Sequence, residues 1–75
     1  MKFIYVGVME WNEKIAKITE EKEFVKIALL DNFDGFETPV LFVLACEREK
    51  VGEIVETLRN NGGKPILWYV IDFML

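Results

Sequence analysis

Few side chains in this chain are of types that commonly carry chemistry, and the candidates are Tyr5, Cys46, Tyr69 and Asp72. Histidine, the most frequent general base, is absent, and no nucleophile lies at a recognisable spacing from another base. Cys46 precedes a predicted helix, whose N-terminus would favour a thiolate. The neighbouring carboxylates of Glu47 and Glu49 disfavour it. We therefore expect an inert thiol and no catalytic residues.

A short acidic and aromatic segment is the other candidate for function, and it comprises Asp31, Asn32, Phe33, Asp34, Gly35, Phe36 and Glu37. An EF-hand would need Asp at Leu30 and Glu at Leu41, so the calcium motif fails. Asp34-Gly35 is typical of a turn in which the glycine takes positive φ. Exposed phenylalanines at Phe33 and Phe36 would mark a ligand or partner contact, and phenylalanines folded back onto the core are the alternative.

Length and composition limit the remaining possibilities. A chain of 75 residues with a single cysteine and no histidine is expected to form one domain, residues 1–75, with no disulfide, metal or cofactor. Its net charge of −4, with lysines and arginines dispersed among glutamates, argues against nucleic-acid binding. The apolar run after Lys2 is too short for a signal peptide or a membrane span. We expect a cytoplasmic protein without membrane contacts.

Periodicity predicts four strands and two helices. Strands are expected near 2–9, 24–30, 39–46 and 65–74, and helices near 12–21 and 48–60. The second helix has an apolar stripe at Val51, Ile54, Val55 and Leu58, and Asn61-Gly62-Gly63 predicts its end. Residues 12–30 are ambiguous, because one long helix competes with a helix followed by a strand; we favour the latter. The order predicts an α+β chain of the ferredoxin-like βαββαβ type, with a four-stranded antiparallel sheet and two helices on one face. The loop over residues 31–38 would then join two central strands.

The last strand is apolar at nearly every position, which predicts contacts on both faces of the sheet. Helices would cover one face and a neighbouring subunit the other. The residues expected in such an interface are Trp68, Tyr69, Ile71 and Phe73. We therefore expect a homo-oligomer, either a dimer or a trimer.

The segment Asp34-Gly35-Phe36-Glu37-Thr38-Pro39-Val40-Leu41-Phe42-Val43, followed by Glu49-Lys50-Val51-Gly52-Glu53-Ile54-Val55, resembles the PII-like superfamily in its layout of strand, glycine loop, strand and helix. ACT-type regulatory domains are similar in the same way. The resemblance implies small ferredoxin-like subunits that assemble through their sheets and bind ligands between subunits. The long signalling loop and the phosphate-binding basic residues of the PII-like proteins have no counterpart here, so only the architecture is carried over.

These observations predict a small oligomeric regulatory or sensor module that binds a small ligand or a protein partner at the subunit interface. A small dimeric ferredoxin-like enzyme, with its pocket on the open sheet face, is one alternative. An accessory protein that only assembles is another. Since one fold supports many functions, the choice among these rests on the site.

Overall fold

The computed structural model describes residues 2–72, apart from the side chains of Tyr69 and Asp72. The strands are β1 (Lys2–Glu10), β2 (Phe24–Leu29), β3 (Pro39–Glu47) and β4 (Ile66–Asp72), and the helices are α1 (Glu13–Thr19) and α2 (Arg48–Asn60). Residues 12–30 thus contain a short helix and a strand, as the favoured interpretation predicted. The predicted strand residues 73 and 74 lie outside the described part.

Local chemistry explains where the helices begin and end. The Asn12 side chain accepts a hydrogen bond of 2.9 Å from the Ile15 backbone N–H, so α1 has an N-cap. The end of α2 is closed by Gly62, at a φ of +84°, which a side chain would disfavour. The amides of Gly62 and Gly63 donate to the carbonyls of Arg59 and Leu58, which satisfies the last turn of the helix.

The sheet has the strand order β2-β3-β1-β4, and every neighbouring pair is antiparallel. An α+β chain with an antiparallel sheet and two helices is therefore confirmed. The expectation that the loop over residues 31–38 joins two central strands is wrong, because β2 lies at an edge of the sheet and only β3 is central. The opposite edge is β4, the most apolar strand.

Both helices pack against the same face of the sheet. Ile15 of α1 and Leu58 of α2 are fully buried in one cluster with sheet residues; the strand members of that cluster are Tyr5, Met9, Val40, Phe42, Leu44 and Cys46. The cross-strand pairs Tyr5–Leu44 and Met9–Val40 place these side chains on a common face. The core of the molecule is therefore one-sided, and we call the other side of the sheet the open face.

Candidate functional site

The open face is built from apolar side chains that neither helix covers. Cross-strand pairing assigns to it Ile4, Val6, Val25, Val43, Ala45 and Ile71. Val25 is 58% exposed and Ile71 is 45% exposed, on opposite edges of the sheet. The side chains between them are half-buried, since neighbours on a pleated sheet shield one another. Contiguous apolar side chains on a protein surface are a common feature of contact sites.

One end of the open face is covered by the β2–β3 loop, residues 30–38. The ring centroids of Phe33 in the loop and Trp68 in β4 are 6.0 Å apart. Because β2 and β4 are opposite edges, the loop must cross the ends of β3 and β1 to make this contact. Val8 pairs with Leu41 and Ile66 on the open-face side and is nevertheless fully buried. The crossing loop accounts for that burial, so the face is less bare than the sequence predicted.

Polar contacts hold the loop in this path. The Glu10 carboxylate accepts hydrogen bonds from the backbone N–H groups of Glu37, at 2.8 Å, and of Thr38. On the other side, the Lys64 ammonium donates to the carbonyl oxygen of Gly35 at 3.2 Å. Hydrogen bonds that involve a charged group are stronger than neutral ones. The loop is thus fixed between the end of β1 and the start of β4.

A turn and an aromatic cluster give the loop its shape. The Phe36 amide donates to the Phe33 carbonyl at 3.0 Å, and Gly35 has a φ of +86°, as the third residue of a type II turn requires. The two rings meet edge to face at 5.1 Å, and Lys64 lies 5.7 Å from the centroid of the Phe36 ring. Both rings are half-buried, so they are neither core residues nor fully free in solvent.

The two sets of residues predicted as sites meet at one point, the contact between Phe33 of the loop and Trp68 of β4. In the loop, Asp31, Asn32, Asp34, Gly35 and Glu37 are exposed, while Phe33 and Phe36 are half-buried. In the predicted interface, Trp68 is 53% exposed and contacts the loop, and Ile71 belongs to the open face. The side chain of Tyr69 and all of Phe73 lie outside the described residues.

Tyr5 and Cys46, two of the candidates for chemistry, lie on the helix-covered face. Burial raises the pKa of the Cys46 thiol, and the carboxylates of Glu23 and Glu47 raise it further, against a smaller opposing effect of Lys2. Burial also raises the pKa of the Tyr5 hydroxyl. Both groups are therefore held in their protonated, less nucleophilic forms near neutral pH.

Sequence reasoning missed Glu10 and Lys64 as contacts of the loop. The distance along the chain from Glu10 to Glu37 leaves no local pattern to detect. The only available signal was the predicted strand order, which brings the end of β1 and the beginnings of β3 and β4 together at one end of the sheet. A charged residue at that end of the sheet is a reasonable partner for an adjacent loop.

Among the side chains that the structure describes, no group of three or more acidic or cysteine residues is arranged to hold a metal ion. No helix in the described part of the chain is long and apolar enough to cross a membrane. A scan against protein-family models, a search of curated proteins and a search of solved structures each found no significant match.

Proposed function

We propose that this chain is a self-associating binding module of the cytoplasm, in which copies join through the open face and the β2–β3 loop contacts a ligand or partner protein. The apolar open face is the observation that supports this proposal. It exposes Val25 and Ile71 by about half each on either side of a half-buried apolar centre. Removing such side chains from water stabilises an assembly by roughly 25 cal/mol per Å².

The dimensions of the molecule suit this role. Its principal extents are 36 × 20 × 17 Å, so a sheet face is comparable in size to the roughly 800 Å² that each partner buries in a standard interface. The core is one-sided, and a small domain gains stability when a second copy covers the other side of its sheet. A dimer or trimer would bury an interface of about that size and would cover the second side of the sheet.

The strand order also supports a ferredoxin-like assignment. In the order β2-β3-β1-β4, each helix connects two strands that are separated by one intervening strand, which is the split βαβ arrangement repeated twice. Ferredoxin-like subunits that assemble through their sheets are what the resemblance to PII-like and ACT-type proteins implies. We propose that arrangement for this chain, without the phosphate-binding residues of the PII-like family.

The position of the β2–β3 loop suits recognition. It lies beside the open face, so a second copy docked there would place the Phe33, Phe36 and Trp68 rings at the rim of the interface. Aromatic side chains are enriched at binding surfaces because they bury a large area with little loss of conformational freedom. Asp31, Asp34 and Glu37 add exposed carboxylates, which favours a cationic or hydrogen-bond-donating partner.

Sedimentation velocity tests the assembly. The wild-type chain is expected to sediment as a dimer or trimer at micromolar concentration. Val25→Lys and Ile71→Lys are expected to shift it to monomer, because each puts a charge into the apolar contact, where an unpaired charge is strongly disfavoured. Both side chains are exposed in the single chain, so each variant should keep its fold.

Asn60→Lys is the matched control. Asn60 is exposed at the end of α2, on the helix side of the molecule, and the substitution adds the same charge away from the open face. It should leave the sedimentation coefficient unchanged. A monomeric wild-type chain would refute the assembly, as would equal behaviour of Val25→Lys and Asn60→Lys.

Phe36→Ala tests the role of the loop. If the ring serves recognition, its removal should change the free energy of unfolding by no more than about 1 kcal/mol, as for a surface residue. A loss of roughly 3 kcal/mol or more, the size expected for a core phenylalanine, would show that the ring only packs. Chemical denaturation of the two proteins measures the difference.

A further inference from the structure

The end of the open face beneath the β2–β3 loop differs from the rest of that face in its exposure to water. Ile4, Val6 and Val8 follow one another on the same side of β1, between β3 and β4. Ile4 and Val6 are half-buried, whereas Val8 is fully buried. Val8 does not belong to the buried cluster on the helix side, so the helices do not account for its burial. The loop therefore shields an apolar part of the sheet that continues the open face.

Main-chain hydrogen bonds fix the two ends of the loop. The Leu30 amide donates to the Pro39 carbonyl at 2.8 Å, and the Trp11 amide donates to the Thr38 carbonyl at 2.9 Å. Between these points, each of the residues 31–37 is either exposed or half-buried. A segment with so little buried surface opens at a low cost in free energy. Residues 31–37 can therefore move away from the sheet while the ends of the loop stay in place.

Two charged side chains hold residues 31–37 in the closed position. The Glu10 carboxylate accepts from the amides of Glu37 and Thr38, and the Lys64 ammonium donates to the Gly35 carbonyl. Glu10 ends β1 and Lys64 precedes β4, so both contacts join the loop to the sheet on which it lies. Because hydrogen bonds are exchanged with water, each contributes a modest net free energy. Removing one of these side chains should shift the balance toward the open position without unfolding the sheet.

We propose that residues 31–37 form an autoinhibitory strap, which occupies the end of the open face that a second copy would otherwise cover. This inference rests on the proposed assembly through that face. While the strap is closed, a second copy contacts only the part of the face beyond it. When the strap opens, Val8 and its neighbours Leu41 and Ile66 join the contact surface, and the second copy replaces the strap as their cover. Release of the strap therefore strengthens association.

The fraction of molecules with an open strap sets the size of this effect. When only the open form makes the full contact, the apparent dissociation constant is the intrinsic one divided by the open fraction. A variant that raises a small open fraction about tenfold should tighten association about tenfold for each copy whose strap must open. Residues of the strap thus act in the opposite direction to ordinary interface residues, whose removal weakens association.

Sedimentation equilibrium of two variants tests the direction of the effect. Glu10→Gln should tighten self-association by about tenfold, and Lys64→Gln, which weakens a single exposed contact, by about threefold. The first variant makes the chain less negative and the second makes it more negative, so a tightening common to both cannot come from net charge. Glu53→Gln and Lys50→Gln are the matched controls, because both residues are exposed on α2. They should leave the dissociation constant within about twofold of the wild-type value.

Thiol labelling measures the strap independently of assembly. Val8→Cys places a small thiol beneath the strap, and Val25→Lys in the same chain keeps it monomeric. Adding Glu10→Gln should accelerate labelling of the introduced thiol by about tenfold, in proportion to the open fraction. The native Cys46 is buried on the helix-covered face and should react at an unchanged rate. Mass spectrometry of the labelled peptides separates the two sites.

A dye provides a second measurement that does not depend on the folding of Val8→Cys. ANS becomes fluorescent on exposed apolar surface, and it should bind more strongly to Val25→Lys when Glu10→Gln is added. Adding Glu53→Gln instead should leave the fluorescence unchanged.

The outcomes distinguish the strap from the assembly on which it depends. Faster labelling together with tighter association of both variants supports the strap. If the wild type assembles and either variant associates no more tightly, the strap is wrong and the proposed assembly stands. Unchanged labelling and unchanged dye binding in Glu10→Gln would also overturn the strap. If all these proteins remain monomeric, the assembly is refuted, and with it the inhibitory role of the loop.

Discussion

Gly7 shows how one residue fixes the path of a strand. The register between β1 and β4 shifts between Val6 and Gly7, as at a β-bulge, and there the backbone of Ile66 comes close to Gly7. A Cβ at Gly7 would lie against the Ile66 carbonyl oxygen and near the Cα of Leu67. Both contacts are with backbone atoms, which cannot move aside as a flexible side chain would.

Gly7→Ala is therefore expected to destabilise the chain by about 1–3 kcal/mol, the range for overpacking a well-packed site. Gly52→Ala is the matched control. Gly52 is exposed within α2, and a Cβ there would meet nothing within 4 Å. Alanine should stabilise that helix by roughly 0.5–1 kcal/mol. Urea denaturation measures both, and similar midpoints for the two variants would contradict the close approach.

Cys46 and Tyr5 together predict how stability depends on pH. Each has a pKa raised by burial above its ordinary value, 9.0 for the thiol and 10.0 for the hydroxyl. The folded chain holds these protons over a range in which the unfolded chain has released them. Their contribution to stability is therefore complete below about pH 9 and is lost as the pH rises through the folded-state values.

Removing one of the two groups should make that loss smaller. Cys46→Ala is expected to lower stability at neutral pH, because a buried side chain is truncated, but its stability should fall less steeply above about pH 9 than that of the wild type. Urea midpoints measured from pH 7 to pH 10 give both slopes. Parallel curves for the two proteins would show that the thiol keeps an ordinary pKa.

At the scale of elements, the predictions that succeeded rest on local signals. The stripe of α2 with its glycine stop, and the Asn12 cap of α1, each depend on residues close in the sequence. The ambiguity over residues 12–30 also has a local resolution, because the charged residues 20–23 separate Ile18 from Phe24 and prevent one continuous apolar stripe.

The arrangement of the candidate site was less predictable. The loop and the last strand were expected as separate surfaces, and their contact through Phe33 and Trp68 follows from the path of the loop over the sheet. The Glu10 contacts with the loop span 27 and 28 residues of sequence. Such long-range contacts are decided by tertiary packing, on which propensities and periodicity carry no information.

Glu10→Gln tests whether the carboxylate holds the β2–β3 loop. An amide has one acceptor oxygen in place of two and carries no charge, so it cannot accept equally from both Glu37 and Thr38. Amide hydrogen exchange at these two residues is expected to accelerate by about tenfold, which corresponds to ~1.4 kcal/mol for local opening.

Glu53→Gln provides the comparison, since Glu53 is exposed in the middle of α2, far from the loop in sequence. It should leave exchange at Glu37 and Thr38 unchanged. If Glu10→Gln also leaves it unchanged, the loop is held by its aromatic contacts and the carboxylate is incidental.

At the scale of the whole molecule, the two sides of the sheet differ in kind. The helix-covered side contains the buried core. The open face has an apolar surface and an aromatic loop at one end. A monomer would have to keep the open face in water, and this is a source of free energy for assembly.

The proposed association through the open face predicts a concentration-dependent melting temperature. Association that favours the folded chain stabilises it by mass action, so the wild-type Tm should rise as the concentration increases from the micromolar range upward. Val25→Lys, which is expected to be monomeric, should melt at one temperature throughout, below the wild type at high concentration and close to it after dilution. Asn60→Lys should follow the wild type. Scanning calorimetry over a hundredfold range of concentration measures these temperatures. A wild-type Tm that does not change with concentration would show that association through the open face does not stabilise the folded chain.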